Sequence, residues 1–185
     1  MQLRETTLPG AVLLVPDVHG DERGFFVETY RSEQLAALGI ADRFVQDNHS
    51  RSRRGVLRGM HLQAGAGIAK LVRCARGEIV DVIVDVRHGS PTFARWEAFT
   101  LDDRHHHQLY VPVGFAHGFC VRSEVADVVY RQSGYYDPAL ERTIAFDDPQ
   151  LAIDWPAGEA FVVSERDRTA PPLSAVAAEL PFTFG

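Results

Sequence analysis

Residues Ile79 to Arg87 read IVDVIVDVR. Val80, Val82, Val84 and Val86 share one parity and so fall on one face of an extended strand, while Ile79, Asp81, Ile83 and Asp85 fall on the other. His88-Gly89-Ser90-Pro91 then closes the segment as a turn. Working outward in both directions, the same alternation of short strand and turn recurs. Further strands are predicted at Ala11–Val15, Gly24–Tyr30, Ala69–Cys74, Glu97–Leu101, His107–Val111, Phe119–Arg122 and Asp127–Gln132, with Asp102-Asp103-Arg104 and Pro112 to Gly114 among the turns. Many short strands with regular turn signals specify an all-β sandwich or barrel. Helix is scarce. Ser32 to Gly39 reads as one short helix with an N-cap serine, an acidic first turn and a closing glycine. Ser174 to Leu180 reads as a second, and the stretch around Pro171-Pro172 as a peripheral ending.

With 185 residues, the chain suits a single domain spanning 1–185. Its 45% hydrophobic and 24% charged residues are an ordinary globular mix, and the net charge of −6 disfavours nucleic acid or an anionic membrane as partner. The local run Arg51-Ser52-Arg53-Arg54 lacks interleaved aromatics and reads as a solvated basic loop. No apolar run approaches the ~20 residues of a membrane helix. Cys74 and Cys120 lie far apart in no C-x-x-C pair, which argues against structural zinc or a disulfide framework. Two thiols and no apolar leader at Met1 to Gly10 lead us to expect a cytoplasmic protein.

The polar residues gather in four short motifs. Asp21 to Glu28 has the form D-x-R-G-x-F-x-E, Val45 to Ser50 V-Q-D-N-x-S, Gly55 to Gln63 G-V-L-R-G-x-H-x-Q, and Pro112 to Phe119 P-x-G-x-A-H-G-F. In this order and spacing they resemble the dTDP-4-dehydrorhamnose 3,5-epimerases, over about Leu3 to Leu173. The resemblance implies a cupin jelly-roll (double-stranded β-helix) barrel with one or two short peripheral helices. It also implies a homodimer, a dTDP-sugar substrate and no cofactor.

His61, on a strand and near Arg58, Gln63 and Lys70 in sequence, is a candidate general base, since its ordinary pKa suits proton abstraction near neutrality. The resemblance assigns Asp167 to orient it, although by sequence alone Asp167 could equally be a surface turn residue. Lys70 shares the parity of Val72 and Cys74. It is either an outward lysine or an inward one that stabilises an enolate oxygen. The resemblance makes Tyr130 the general acid on the opposite side of the sugar. It carries Arg23, Phe26, Glu28, Gln46, Asp47, Asn48, Arg58, His117, Glu141 and Arg166 into the ligand site, the arginines on the diphosphate, and sets Tyr136 against the thymine. His117 occupies a position that binds metal in metal cupins. Here Gln63 stands where a second histidine would be needed, so no metal is expected. His105-His106-His107 reads as a solvated turn.

Arg58 and His61 are three residues apart, which places them on opposite faces of a regular strand. Either Gly59 hosts a bulge that re-aims one of them, or Arg58 lies at the barrel mouth. The loop Ala64 to Ala69 is small where the family often carries proline and glutamine, which bears on how the sugar end is closed.

Overall fold

The computed structural model describes residues 1–156 and 160–185. Among the described residues thirteen strands form in chain order: β1 Gln2–Glu5, β2 Val12–Val15, β3 Val18–Asp21, β4 Gly24–Val27, β5 Gln46–Arg53, β6 Leu57–Gln63, β7 Lys70–Arg76, β8 Glu78–Asp85, β9 Trp96–Asp102, β10 Gln108–Val111, β11 Phe115–Val121, β12 Val125–Gln132 and β13 Glu141–Thr143. A six-stranded sheet runs β1-β2-β10-β7-β12-β5, a five-stranded sheet runs β13-β6-β11-β8-β9, and β3 pairs with β4 as a separate hairpin. Neighbouring strands are antiparallel throughout these sheets, and the two large sheets close on each other as a jelly-roll barrel.

The stretch Ile79 to Asp85 shows why the barrel holds. Its odd-numbered face looks inward, where Ile79 and Ile83 pack with Val72, Cys74, Phe119 and Val128 from strands of both sheets. The valine face looks outward and is covered too, because Val82, Val84 and Val86 pack under Trp155, Leu173, Val176, Leu180 and Phe182 from the C-terminal segment. A strand buried on both faces needs apolar residues on both, and this one has them apart from Asp81 and Asp85. Asp85 is satisfied by Arg87, Ser90 and Thr92. The segment after Pro171-Pro172 is therefore a cover over the five-stranded sheet and not a peripheral ending, since full burial of each aliphatic side chain is worth about 1.5–3 kcal/mol.

Helix is confined to short pieces: α1 Ser32–Ala37, α2 Glu165–Arg168 and α3 Leu173–Val176, the last continued by a 3₁₀ turn over Ala177–Glu179. Helix α1 buries Leu35, which with Ile40 caps the outer face of the six-stranded sheet at Leu14 and Leu71. The expected serine cap is corrected: Arg31 is the N-cap, no side chain caps the helix, and Ser32 is already its first residue. The expected strand Gly24–Tyr30 stops at Val27. Of the three consecutive histidines, His105 bonds Asp102 in the turn after β9, and His106, at φ +55°, lies against Phe25.

Candidate active site

Strands β5, β6, β7, β11 and β12 present side chains into one cavity of about 760 Å³ inside the barrel mouth. The parity problem at Arg58 and His61 is solved by a bulge. On β11, His117 and Phe119 are two apart, yet they pair with His61 and Arg58, which are three apart. The extra residue on β6 turns Arg58 and His61 onto the same, inner face. Gly59 occupies the bulge at φ +142°, and a Cβ there would meet Gly118 Cα at 2.5 Å. Only glycine fits both the backbone conformation and the close approach.

His61 Nε2 lies 2.6 Å from Asp167 Oδ1. Asp167 is 3% exposed, so the alternative of a surface turn does not hold. It sits in helix α2, whose N-cap Ser164 accepts the Asp167 backbone N–H at 3.2 Å. Burial pushes the Asp167 carboxyl up, but bonds to His61 and Ser164 and the charge of Arg166 outweigh it, so its pKa lies below the ordinary value. When Nε2–H donates to this carboxylate, Nδ1 is the nitrogen left to take a proton.

Lys70 points inward and is buried, which settles its orientation. Its Nζ donates to the His61 carbonyl at 3.3 Å, and burial lowers its pKa to about 8 against the partial opposition of Asp81 and Glu141. Tyr130 is half-buried on β12, and burial, with the Glu141 charge adding to it, raises its pKa, so the phenol stays protonated at neutral pH. His117 bonds Asp81 at 2.9 Å through Nε2, and burial lowers its pKa despite that carboxylate. Among the described residues no cluster of three or more His, Cys, Asp or Glu is placed to hold a metal.

At the mouth, Glu141 on β13 gathers two groups. Tyr136 Oη donates to it at 2.7 Å, and Arg166 bonds it as well. The Tyr136 ring is half-exposed. Gln46 accepts the Tyr136 backbone N–H at 2.9 Å and donates to Asn48 at 3.0 Å, which fixes two polar side chains on the cavity wall. Arg58 donates to Ser52 at 3.1 Å and is otherwise open to the cavity.

The cavity thus unites His61, Asp167, Lys70, Tyr130, His117, Arg58, Gln46, Asn48, Tyr136, Glu141 and Arg166. Four expected residues lie elsewhere. Asp47 has the opposite parity to Gln46 and Asn48, so it faces outward, with Arg131 at 4.0 Å. Arg23 pairs with Asp21 on the β3–β4 hairpin, Glu28 pairs with Arg31, and Phe26 is 69% exposed.

Sequence reasoning gave no site role to Asp81, Ser164, Ser50 or Gln132. Asp81 carried a usable signal, an acid between Ile79 and Ile83 on a buried face. Ser50 and Gln132 share the inward parity of Asn48 and Tyr130. Ser50 Oγ and Gln132 Oε1 are buried polar atoms with no hydrogen-bond partner among the described residues.

An antiparallel jelly-roll with a histidine held by a buried aspartate, a desolvated lysine and a tyrosine facing one cavity defines a class, the epimerase-type cupins. A family model described as dTDP-4-dehydrorhamnose 3,5-epimerase matches residues 5–175. The chain is 47% identical over 169 residues to the dTDP-4-dehydrorhamnose 3,5-epimerase of Pseudomonas aeruginosa, covering 91% of this chain and 93% of that one. The crystal structure of dTDP-6-deoxy-D-glucose-3,5-epimerase from Legionella pneumophila, in complex with dTDP-4-keto-L-rhamnose, superposes with a TM-score of 0.96 at 45% identity, covering 100% and 98% of the two chains. A 3'-monoepimerase from Streptomyces bikiniensis, in complex with dTDP-quinovose, gives 0.89 at 37% identity, covering 94% and 89%. The chain belongs to the dTDP-4-dehydrorhamnose 3,5-epimerase family.

Proposed function

We propose that this enzyme inverts C3 and C5 of dTDP-4-dehydro-6-deoxy-D-glucose to give dTDP-4-dehydro-L-rhamnose. The C4 ketone makes the hydrogens on both neighbouring carbons removable as protons. His61, oriented by Asp167, takes one; Lys70 holds the oxygen of the resulting enolate; Tyr130 returns a proton from the other face. The observation that carries this reading is the 2.6 Å His61–Asp167 pair sharing a cavity with Lys70 and Tyr130. Chemistry of this kind requires no cofactor, because the electron pair leaves and returns to the same carbon. Incubation of the substrate in heavy water, followed by proton NMR, tests it: deuterium enters C3 and C5 and the rhamno-configured ketone accumulates. Deuterium at one carbon alone would instead identify a single-position epimerase of the kind described for the Streptomyces bikiniensis relative.

The nucleotide anchors the sugar through Arg58 and Arg166 on the diphosphate and Tyr136 on the thymine. Tyr136→Ala weakens dTDP binding by about 1–3 kcal/mol, the scale of one base–aromatic stack. Unchanged affinity by calorimetry would place the base elsewhere.

The chain acts as a homodimer in this reading, and Arg23, Phe26 and Glu28 reach the ligand site of the partner copy. The support is the β3–β4 hairpin, which pairs only with itself among the strands of the described residues and exposes Phe25 and Phe26 at 59% and 69%. Light scattering at micromolar concentration gives twice the chain mass of 20.6 kDa; a monomer would overturn the arrangement. Among the described residues no helix is long and apolar enough to cross a membrane. The cytoplasmic location we assign rests on the two cysteines and their spacing.

A further inference from the structure

We propose that Gln63 is a positioning residue for the nucleotide, clamping the loop that holds Tyr136 against the base; this rests on the Tyr136 assignment above. The loop between β12 and β13, residues 133–140, carries Tyr135 and Tyr136 at 72% and 48% exposed and lies outside the strand ladders of the described residues. A ring that presents its face to a base binds best when its backbone is held beforehand, because freedom lost on binding costs affinity. Gln63 supplies that hold. Its Nε2 donates to the Tyr135 carbonyl at 3.2 Å, and its Oε1 accepts the Asp137 N–H at 2.9 Å. One carboxamide therefore grips the chain on both sides of Tyr136.

The register makes the arrangement a unit. Gln63 on β6 pairs directly with Glu141 on β13. Glu141 accepts the Tyr136 hydroxyl. A single cross-strand pair thus fixes Tyr136 from both ends, the main chain through Gln63 and the ring tip through Glu141. Gln46, which accepts the Tyr136 N–H, comes from β5 in the other sheet, so both walls of the barrel hold the loop. With both ends of its carboxamide committed to the loop, Gln63 acts on the nucleotide through Tyr136. The residue standing where a metal cupin needs a histidine serves the nucleotide end of the site.

The test uses Gln63→Met, which keeps the side-chain length and removes both bonds, and Gln63→Asn, which keeps the carboxamide but is a methylene too short to make both. Calorimetry is run with dTDP and, separately, with inorganic pyrophosphate. Both variants weaken dTDP about tenfold, the scale of two partly hydrated hydrogen bonds. Pyrophosphate, which meets only the arginines, binds as before. With the dTDP sugar the loss appears in KM more than in kcat. In a Tyr136→Ala background neither substitution weakens dTDP further. Amide hydrogen exchange gives a second measure: it quickens at Asp137 while β6 stays protected, which also shows that the variants fold. Unaltered dTDP affinity in both variants, an equal loss with pyrophosphate, or the same loss persisting without the Tyr136 ring would each overturn the role of Gln63 alone. No loss of dTDP affinity from Tyr136→Ala by itself would overturn the Tyr136 assignment, and this one with it.

Discussion

His61→Asn abolishes solvent deuterium entry at both C3 and C5, whereas Tyr130→Phe retains entry and loses inversion. The difference follows from where each group stands in the reaction. Without a base the enolate never forms, so neither carbon exchanges. Without the phenol the enolate still forms, held by Lys70, and recaptures a proton from the histidine side with its original configuration. General acids and bases contribute about 10²–10⁴-fold, so both losses are of that size. Tyr130→Phe keeps the ring that packs beside the inner core and removes one hydroxyl, so the fold is preserved. The raised pKa of Tyr130 suits the assignment, because a phenol that stays protonated can donate at neutral pH. Two NMR results would sink the division of roles: near-normal inversion by Tyr130→Phe, or normal wash-in by His61→Asn.

Lys70→Met inactivates the enzyme while making it more stable. Burial holds the Lys70 pKa at about 8, below the ordinary lysine value of 10.5. The unfolded chain therefore binds this proton more tightly than the folded one, and the folded state is penalised wherever the lysine is charged. That penalty is full below pH 8 and is relieved as pH rises from about 8 toward the unfolded value. At pH 7 the substitution removes it, a gain of up to about 3 kcal/mol at 1.36 kcal/mol per pKa unit. Calorimetry checks the sign, which would be wrong if the variant melted lower at pH 7. The same pKa fixes a rate profile. An ammonium is needed on the enolate oxygen, so kcat/KM, which follows the groups of the free enzyme, declines as pH rises through about 8. A flat profile from pH 7 to 9.5 would remove Lys70 from that role.

Strand parity carried much of the architecture, and its failures have physical causes. The valine stretch of β8 and the alternation of β7 and β12 were legible because their inward residues meet an apolar core. Strand β5, QDNHSRSR, was not predicted, because its inward residues Gln46, Asn48 and Ser50 line a wet cavity and leave no hydrophobic alternation to read. Helix α2 was missed because four residues are too short for a periodic signal, although Ser164 with Asp167 three positions later was a capping cue. The motif residues of β6 were found, but not their shared face, because a bulge changes parity without changing composition. Asp47 and the hairpin residues Arg23, Phe26 and Glu28 came from motif position alone. Nothing in a motif tells the inner face of a strand from the outer.

The placement of Asp167 also sets a clock on the ribosome. Its partner His61 precedes it by 106 residues, and helix α2 follows every strand of the barrel. The nascent chain can pair all thirteen strands while the imidazole still lacks the carboxylate that fixes its tautomer. Catalytic competence thus follows pairing of the strands, and the growing polypeptide lacks an oriented base until Asp167 has emerged. In a synchronised translation, barrel fluorescence should rise before epimerase activity does; simultaneous appearance would contradict that order.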